Sequence, residues 1–548
     1  MEKFLNKKKV LVFLTLILFI GSILRLWQLG SVPISLNWDE VALGYDAYSI
    51  SLTGKDEYGK YLPTVLRSFD DYKPALYAYL IIPTYKIFGL NAFAVRLPSA
   101  IFGILTILAV FLLIRRLFKR DDIALLTSFI LAISPWHIQF SRIAFESNIG
   151  LALNVFAATL FVYGLKRPWL LIFSALCAGL SLHVYQSEKV FTPLFMLGLI
   201  LIYRKEFFAI SRKYIFGFVL AGLLVALPLA LNILMDEQVL LRAKGTSIFN
   251  NRTQVLKQNA QRNIYNIQNH NQLGKIFDNR RIVYTKEIIN GYLSHFSPNW
   301  LLRGDIARHH APGMGLIYMW EFPFILIGIY ALILLKIERK TKFFIFFWFL
   351  LAPIPASITS EVPHAVRTLN FLPTWQLFSS LGIITAISFI INSRFKRGLF
   401  LLSVAIFLFA VFNFFYYLNQ YFVQQNYFFA TDWLYGYEKI VGEVKKKEKN
   451  YKKIIVSDKQ PMDKSYMFFL FYLKYDPSKY QISGQKSGGY AQHHKFDKYE
   501  FRPIIKGEDD SVEDVLFVGL PEEFSSKSNV VYKVNYPNGK PSMMLVGK

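Results

Sequence analysis

The sequence predicts a mostly α-helical, polytopic membrane protein with about 11 transmembrane spans and a small α/β domain at its C-terminal end. Three observations predict this fold class. Hydrophobic residues make up 53% of the 548 residues and aromatic residues 17%, which is more than soluble domains usually carry. Apolar segments near the length of a membrane-spanning helix recur along the chain. Clusters of Lys and Arg separate these segments.

Eleven apolar segments are predicted to cross the membrane, with edges placed to within a few residues. They are residues 10–26, 97–117, 122–136, 147–164, 168–185, 188–203, 214–235, 315–335, 342–358, 367–391 and 398–418. The first segment follows a basic N-terminus, as in a signal peptide. No small-residue cleavage site comes after it, so we interpret it as an uncleaved first span.

The basic clusters fix the predicted topology. If the N-terminus is cytoplasmic, six connections rich in Lys and Arg all fall on the cytoplasmic side, as the positive-inside rule requires. These connections contain residues 7–9, 115–120, 166–167, 204–213, 336–340 and 394–397. The formal net charge of +25 is therefore explained by membrane topology, and nucleic-acid binding is not needed to account for it.

One further segment, residues 73–90, is apolar enough to be counted as a span. Counting it would place every later basic cluster on the outer side, against the positive-inside rule. We therefore interpret it as a juxtamembrane or re-entrant helix within a long first outer loop, residues 27–96. A second long loop, residues 236–314, also lies on the outer side in this topology.

The chain is predicted to have two parts, a transmembrane domain of residues 1–418 and an extracytoplasmic soluble domain of residues 419–548. The second part contains the strand-like runs KKIIVS, DVLFVGL and SMMLVG. It also contains the helix-like runs TDWLYGYEKIVGEVKK and SYMFFLFYLK, so an α/β domain is predicted. The single cysteine, Cys177, excludes a disulfide framework and a cysteine metal site within this sequence.

An acidic pair, Asp39 and Glu40, follows the first span directly. Asn37 and Glu40 have the spacing of a capping box, which accounts for Glu40 as part of a helix start. Asp39 is not needed for that cap, and a carboxylate at the membrane edge usually has a function. On a helix, Asp39 and Asp46 would share one face about 10 Å apart. That separation suits two contacts on a single substrate.

Glu146 and Lys73 each have a structural alternative. Glu146 precedes the fourth span in SRIAFES, where an acid also stabilises a helix N-terminus. Arg142 lies four residues earlier and is spaced to pair with it. Lys73, in DDYKP, is compatible with binding an anion and equally with an interfacial lysine that extends to water. The residues alone leave these alternatives open.

Cationic groups precede two later spans. His364 and Arg367, in PHAVRTLNFLP, would face the same way on a helix, and a helix N-terminus would add to phosphate binding. The alternative, an interfacial anchor, is disfavoured because arginine is biased towards the inner side. Arg308 and His309, in GDIARHHAPGMG, form a second cationic group. His309 and His310 are adjacent and point apart, which disfavours a zinc site.

Carboxylates and cations at the outer edge of a membrane bundle suit the chemistry of lipid-linked phosphosugars. The lipid tail of such a donor lies in the bilayer and its phosphate lies at the headgroup level. A carboxylate would deprotonate the acceptor hydroxyl, and cations would stabilise the leaving phosphate. Because a lipid phosphate is a good leaving group, this reaction needs no dedicated general acid.

A family resemblance extends over most of residues 37–375. The strings that carry it are WDEVALGYDAYSI, GKDEYGKYLP, KPALYAYLIIPTYKIFGLNAFAVRLPSAIFG, SPWHIQFSRIAFES, GDIARHHAPGMG and PHAVRTLNFLP. The sequence here resembles the bacterial relatives of dolichyl-phosphate-mannose protein mannosyltransferases and the lipid A aminoarabinose transferases. Those enzymes have the C-type glycosyltransferase fold. The C-terminal domain carries no such resemblance.

The resemblance implies a glycosyltransferase of the cell envelope that moves a sugar from a polyprenyl-phosphate donor to an acceptor hydroxyl on the outer face of the membrane. It implies inversion by direct displacement, with Asp39 as the base, Glu146 as a second acidic position and Lys73 near the carrier phosphate. His364 and Arg367 fit a polar pair near that phosphate. Members of the fold differ in their need for a divalent cation. Glu146 stands where some relatives have Asp, which leaves open a cation held by Asp39 and Glu146.

The predicted site has two sets of residues. The catalytic candidates are Asp39, Glu40 and Glu146, and the candidates for binding the donor phosphate are Lys73, Arg142, His364, Arg367, Arg308 and His309. The expected partners are a polyprenyl-phosphate sugar, an acceptor protein, lipid or glycan, and membrane lipids, with no nucleic acid.

Two other function classes compete with the transferase. A transporter or flippase for a lipid-linked glycan usually has internal repeats and charges at mid-membrane depth, and the sequence pattern indicates neither. A non-catalytic, glycan-binding membrane scaffold would not need Asp39, and its soluble domain alone would bind the ligand. The carboxylates and cations near the outer ends of the spans favour the transferase.

Overall fold

Apolar helices build the chain as far as residue 428. The computed structural model describes residues 6–69, 71–235, 241–249, 254–483, 494–505, 509 and 513–548. The elements of this part are α1 Lys7–Leu26, α2 Trp38–Thr53, β1 Val65–Ser68, β2 Asp71–Pro74, α3 Leu76–Phe88, α4 Ala92–Phe118, α5 Asp121–Ile133, α6 Pro135–Ser141, α7 Glu146–Gly164, α8 Leu170–Ser181, α9 Glu188–Ile202, α10 Arg204–Phe208, α11 Arg212–Met235, α12 Leu241–Thr246, α13 Gln254–Gln268, α14 Gln272–Phe277, α15 Arg280–Ser294, α16 Pro298–Arg303, α17 Glu321–Leu334, α18 Arg339–Leu351, α19 Ile354–Ser357, α20 Thr374–Asn392, α21 Lys396–Asn419 and α22 Gln425–Phe428.

Each predicted span coincides with one of these helices, which confirms a polytopic, mostly helical membrane protein. Length and apolar composition alone qualify six helices of the described residues for crossing a membrane, or seven if the bent pair α5–α6 is one span. The total of eleven therefore stays a prediction. The helix α7 is the most enclosed of the qualifying helices, whereas α21 lies at the edge of the bundle with its apolar side chains exposed.

The apolar segment of residues 73–90 forms the end of strand β2 and the helix α3. The helix has 13 residues, so it is about 20 Å long, which is short of the roughly 30 Å hydrocarbon core. It packs against α2 and α4. This geometry agrees with the interpretation of the segment as a juxtamembrane or re-entrant helix.

The C-terminal part is an α/β domain with a mixed sheet, as the sequence predicted. Its elements are α23 Tyr437–Lys447, β3 Lys453–Val456, α24 Ser465–Leu473, α25 Pro477–Ser483, β4 His494–Phe496, β5 Tyr499–Phe501, β6 Val515–Gly519, β7 Val530–Asn535 and β8 Pro541–Gly547. The strand order is β4-β5-β3-β6-β8-β7, with β3 parallel to both of its neighbours and the other pairs antiparallel. The strand-like runs of the sequence correspond to β3, β6 and β8.

Two buried arginines hold the connection between α1 and α2. Arg96, on α4, donates to the carbonyls of Leu29, Pro33 and Ser35. Arg142 donates to the carbonyls of Leu24 and Val32. Because an arginine offers five N–H donors in a rigid fork, two side chains satisfy much of this irregular backbone. The start of α2 is thereby fixed to the membrane bundle.

The C-terminal domain packs directly on α2. A Cβ atom added to Gly44 would lie 2.5 Å from Cε2 of Phe471, so the two helices α2 and α24 approach as closely as a glycine allows. Tyr45 donates its hydroxyl hydrogen bond to the carbonyl of Tyr475. The helix that begins with Trp38 and Asp39 is thus held between the membrane bundle and the C-terminal domain.

Candidate active site

A cavity of about 140 Å³ lies where α2, the β1–β2 hairpin, α7 and the loops before α17 and α20 meet. Most of its chemistry comes from residues that the sequence predicted. Its walls are formed by Asp39, Lys73, Pro74, Phe145, Glu146, Tyr185, Gln186, Arg308, His309, His364 and Val366. The first outer loop, the start of α7 and the connections before α9, α17 and α20 therefore supply one enclosure.

Asp39 reaches this cavity from the first turn of α2. The predicted capping box is present: the side chain of Asn37 accepts from the backbone N–H groups of Asp39 and Glu40, and Glu40 accepts from the N–H of Asn37. The cap orients the helix start, and Asp39 contributes its backbone N–H to it. The carboxylate of Asp39 forms an ion pair with the ammonium of Lys73.

Lys73 is positioned by the β1–β2 hairpin. It pairs in register with Leu66, and the neighbouring Tyr72 accepts a hydrogen bond through its carbonyl from the side chain of Gln186 at 2.9 Å. The side chain of Lys73 is 9% exposed and that of Asp39 is 27% exposed. The ion pair therefore keeps a path to solvent through the cavity, on the side of Asp39.

Glu146 is the first residue of α7, and it lines the same cavity. The sequence offered Arg142 as its structural partner, but Arg142 points to backbone carbonyls and to the hydroxyl of Tyr421 instead. Asp39 and Lys73 both interact electrostatically with Glu146. Two carboxylates and one ammonium thus face one another across the cavity.

His309 and Arg308 form another wall, but only Arg308 is a cation near neutral pH. Burial, followed in size by the charge of Arg308, lowers the pKa of His309 to about 3. The neutral ring packs against Phe140 and His364. This corrects the sequence prediction of a positive charge at residue 309: the imidazole offers a hydrogen bond only.

His364 is held in place by a histidine that the sequence analysis missed. The backbone N–H of His364 donates to Nε2 of His295 at 3.1 Å, and Nδ1 of His295 lies 2.7 Å from the carbonyl of Gly291. The first contact requires an unprotonated Nε2, so the second is an Nδ1–H donation. Burial lowers the pKa of His295 to about 4, in agreement with this neutral tautomer.

Arg367 lies beside the cavity without lining it. Its guanidinium donates to Thr359 and to the carbonyl of Ser360, and forms a longer ion pair with Glu361 at 3.4 Å. The prediction that His364 and Arg367 share a helix face is wrong, because residues 360–368 form turns and α20 begins only at Thr374. Arg367 shapes the loop that presents His364.

Glu40, Arg142 and Asp46 do not line the cavity. Glu40 accepts from Arg96, from the N–H of Ala144 and from the helix cap, and it is fully buried. Arg142 is also fully buried against Tyr421. Asp46 accepts from the backbone N–H of Glu57. Their contacts are structural, and the predicted shared substrate contact of Asp39 and Asp46 is absent from this arrangement.

Trp38 connects the C-terminal domain to the site. Its ring is flanked by the guanidinium carbon of Arg308 at 4.4 Å and by Nζ of Lys464 at 4.0 Å. Cations over an indole face are attracted by its quadrupole. Burial lowers the pKa of Lys464, while the neighbouring Asp463 acts in the opposite direction. A residue of the C-terminal domain therefore packs next to the acid at position 39.

No group of three or more His, Cys, Asp or Glu among the described residues is arranged to hold a metal ion. The two carboxylates at the cavity, Asp39 and Glu146, are the pair that the sequence offered for a divalent cation. In the structure Lys73 is paired with Asp39 and interacts with Glu146.

Residues 72–231 match the family model described as dolichyl-phosphate-mannose-protein mannosyltransferase. Over these residues the match confirms the resemblance predicted from the sequence. Among curated proteins compared by sequence, none matches.

The fold is similar to that of ArnT from Cupriavidus metallidurans. The apo structure of ArnT has a TM-score of 0.54 and 11% identity, and the similarity covers 98% of this chain and 97% of ArnT. The structure bound to undecaprenyl phosphate has a TM-score of 0.54 and 10% identity over 99% of this chain and 98% of ArnT. This similarity confirms the predicted C-type glycosyltransferase fold.

A further structural match is the archaeal oligosaccharyltransferase AglB from Archaeoglobus fulgidus in complex with an inhibitory peptide and a dolichol-phosphate. Its TM-score is 0.49 at 14% identity, with 85% of this chain covered. The chain spans 64% of the length of AglB, slightly less than two thirds.

Proposed function

We propose that this polytopic membrane protein is a glycosyltransferase, which takes its sugar from a polyprenyl-phosphate donor and transfers it to an acceptor hydroxyl on the outer face of the cell membrane. The observation that carries the proposal is the convergence of Asp39, Lys73, Arg308 and His364 on one cavity. A carboxylate next to cations is the arrangement that this transfer needs at a phosphate leaving group.

In the proposed reaction Asp39 is the general base. The acceptor hydroxyl loses its proton to the carboxylate while its oxygen forms a bond to the anomeric carbon of the sugar. The bond between that carbon and the phosphate oxygen breaks, and the electron pair leaves with polyprenyl phosphate. Attack from the face opposite the phosphate inverts the anomeric centre. The 27% exposure of the Asp39 side chain leaves room for the acceptor.

Lys73 and Arg308 supply the positive charge that stabilises the departing phosphate. The Lys73 ammonium is held close to the base by the ion pair with Asp39, so one group orients the base and also faces the leaving group. His364 and the neutral His309 add hydrogen bonds, because both rings line the cavity. Binding of the phosphate would draw Lys73 away from Asp39 and leave the carboxylate able to accept a proton.

The charge pattern supports an outer location for the cavity. Arg96, near the start of α4, is bonded to Glu40 beside the site, whereas Arg115 and Lys119 lie at the other end of this 27-residue helix, roughly 30 Å away along its axis. The positive-inside rule assigns the Arg115 end to the cytoplasm. We therefore propose that the cavity and the C-terminal domain lie outside.

We propose that in this chain the Lys73 ammonium supplies the positive charge that a divalent cation would supply. Magnesium is commonly bound by one or two carboxylates together with substrate phosphates, and Asp39 and Glu146 are the residues that would hold it. Its chemistry would be the neutralisation of negative charge next to the leaving phosphate. The Lys73 ammonium already provides positive charge there, since it pairs with Asp39 and interacts electrostatically with Glu146.

The test is turnover by the purified full chain with a panel of polyprenyl-phosphate sugars, measured as release of free polyprenyl phosphate. We expect at least one donor to be consumed by the wild type and by Asp305→Asn, which removes an exposed carboxylate from the loop before Arg308. We expect no consumption by Asp39→Asn. Equal turnover by Asp39→Asn would contradict the proposed role of the base.

A further inference from the structure

The helices α13, α14 and α15 form a hairpin within the long loop, and this hairpin has its polar side chains inside. Asn259, Asn263 and Asn266 lie on one face of α13. Asn259 and Asn263 donate to the carbonyl of Asp278, and Asn266 donates to its carboxylate at 2.8 Å. Asn259 and Asn266 are buried. The contacts that join α13 to the turn between α14 and α15 are therefore polar.

Many apolar side chains of the same hairpin are exposed. Eight large hydrophobic residues are each at least 50% exposed: Ile264, Tyr265, Ile267, Leu273, Ile276, Phe277, Ile289 and Leu293. In a water-soluble hairpin such residues would form the inner face. A group of this size in the open marks a surface that another phase or another molecule covers.

The hairpin is also basic. Residues 254–294 contain six Lys or Arg and two Asp or Glu, which leaves a net charge of +4 by subtraction. Arg280 and Arg281 lie three and four residues after the exposed Phe277, and both are exposed. Cationic residues that flank an exposed apolar face fit a surface with anionic headgroups and an apolar interior.

The exposed face is continuous with the outside of the membrane bundle. Tyr292, on α15, donates its hydroxyl hydrogen bond to the carbonyl of Leu350 near the end of α18, and Phe296 packs against Phe349 at 5.3 Å between ring centroids. Leu350 itself is 50% exposed on the outside of the bundle. The neighbouring Leu293 therefore extends the apolar outer surface of α18, a helix within the predicted span of residues 342–358.

We propose that the α13–α15 hairpin lies in the interface of an anionic lipid leaflet, with its apolar side chains in the acyl boundary and its basic residues at the headgroups. Continuity with α18 and the positive charge favour lipid over a second copy of the chain, whose equally basic hairpin would be repelled. Because His295 follows α15 and accepts from the backbone of His364, lipid docking would also steady one wall of the cavity.

The proposal does not depend on the reaction, and it is tested without turnover. Cys177 is replaced by Ser, and an environment-sensitive fluorophore is attached to single cysteines at Ile264→Cys, Phe277→Cys or the control Asn450→Cys, an exposed position of the C-terminal domain. The full chain is placed in nanodiscs of phosphatidylcholine alone or mixed with phosphatidylglycerol. Lipids with a spin label near the headgroup serve as quenchers.

We expect blue-shifted emission and lipid quenching at positions 264 and 277, stronger in the mixed lipid, and neither effect at position 450. Replacing Arg280 and Arg281 by Glu should weaken the docking in mixed lipid by about fivefold for each charge removed. Emission and quenching like those of position 450 would overturn the proposal. A blue shift without lipid quenching would also overturn it, because a protein would then cover the face. Equal quenching in both lipids would overturn the preference for anionic headgroups.

Discussion

Two ion pairs start from neighbouring residues of α2, Asp39 and Glu40, but they differ in burial and in their other contacts. Glu40 and Arg96 are both fully enclosed, and each makes further hydrogen bonds to backbone groups. Asp39 and Lys73 line a cavity, and the Asp39 side chain is 27% exposed. The first pair joins the α1–α2 connection to α4 and to the loop before α7, whereas the second is open to a ligand.

The difference separates a structural acid from a reactive one. A buried pair whose remaining lone pairs and protons are satisfied by backbone has no capacity left for a substrate. An ion pair at a cavity wall can exchange its partner for a phosphate or an acceptor hydroxyl. Substitutions in the two pairs should therefore affect different quantities, folding in one and turnover in the other.

The largest effects are expected from the two acids themselves. Asp39→Asn should lower turnover by roughly 10²–10⁴-fold, the usual contribution of a general base, and leave the melting temperature near that of the wild type. Glu40→Ala should destabilise the fold by about 3–5 kcal/mol, because it leaves the charge of Arg96 buried without its partner. Release of polyprenyl phosphate and thermal unfolding in detergent measure the two quantities.

The comparison is contradicted if Glu40→Ala affects turnover and Asp39→Asn affects folding. A normally folded Glu40→Ala with lost turnover would mean that Glu40 acts on the substrate. An Asp39→Asn variant that unfolds would mean that the Asp39–Lys73 pair is mainly structural. Asp305→Asn, which removes an exposed carboxylate, is the control for both.

Lys73→Met sharpens the comparison from the side of the cation. Loss of the ammonium should reduce kcat by roughly 10²–10³-fold, as does the removal of one group that stabilises developing charge. Lys73→Arg should retain part of the activity because it keeps the charge. Steady-state kinetics with the best donor of the panel provide the measurement, and equal rates for the Met and wild-type proteins would contradict a role at the leaving phosphate.

The pH dependence of stability tests whether the cavity has a neutral His309. The folded pKa of His309 is about 3, below the roughly 6.5 of an unfolded histidine. As the pH falls below about 6.5, the unfolded chain takes up the proton first, so stability present above that pH is progressively lost. Thermal unfolding of His309→Gln should therefore decline less between pH 6.5 and about 4.5 than that of the wild type. Parallel curves would indicate a histidine that titrates normally in the fold.

A smaller effect is expected from the C-terminal domain. Lys464→Met removes the cation from one face of Trp38 and should lower kcat by about three- to tenfold, within the range of a cation–π contact. Lys459→Met, an exposed lysine of the same loop, is the matched control. Because Lys464 acts through Trp38, the expected loss lies in kcat with little change in the KM of the donor. Equal kinetics of the two variants would show that Lys464 does not contribute to turnover.

The smallest effect is expected from chelation. If the Lys73 ammonium provides the charge beside Asp39 and Glu146, dialysis against EDTA should leave turnover unchanged within about twofold, since no cation bound by these carboxylates is then required. Recovery of activity by added magnesium or manganese would show that the cavity works with a metal ion and would contradict the part proposed for Lys73.

Local signals in the sequence predicted the elements that depend on neighbouring residues. The long apolar runs became helices, the β-branched runs KKIIVS and DVLFVGL became strands, and Asn37 with Glu40 formed the predicted cap. The sequence also distinguished the roles of Asp39 and Glu40, because the cap needs only one acid. The family resemblance and the topology inferred from the basic clusters indicated residues 39, 73, 146, 308 and 364. All five line one cavity in the structure.

The contacts that the sequence did not indicate join distant segments. Nothing in the spacing of residues shows that Arg96 would take Glu40, or that Lys464 would lie over Trp38. The predicted helix at residues 364–367 is absent, and helix α20 begins only at Thr374, directly after Pro373. Burial, which makes His309 neutral, is likewise a property of the folded chain.

A structure of the full chain with an unreacted polyprenyl-phosphate sugar tests the central claim most directly. The account predicts that the donor phosphate contacts Lys73, with Arg308 or His364 as a second partner, and that the anomeric carbon faces Asp39 across the cavity. Density for the phosphate in another enclosure, or a sugar turned away from Asp39, would contradict it.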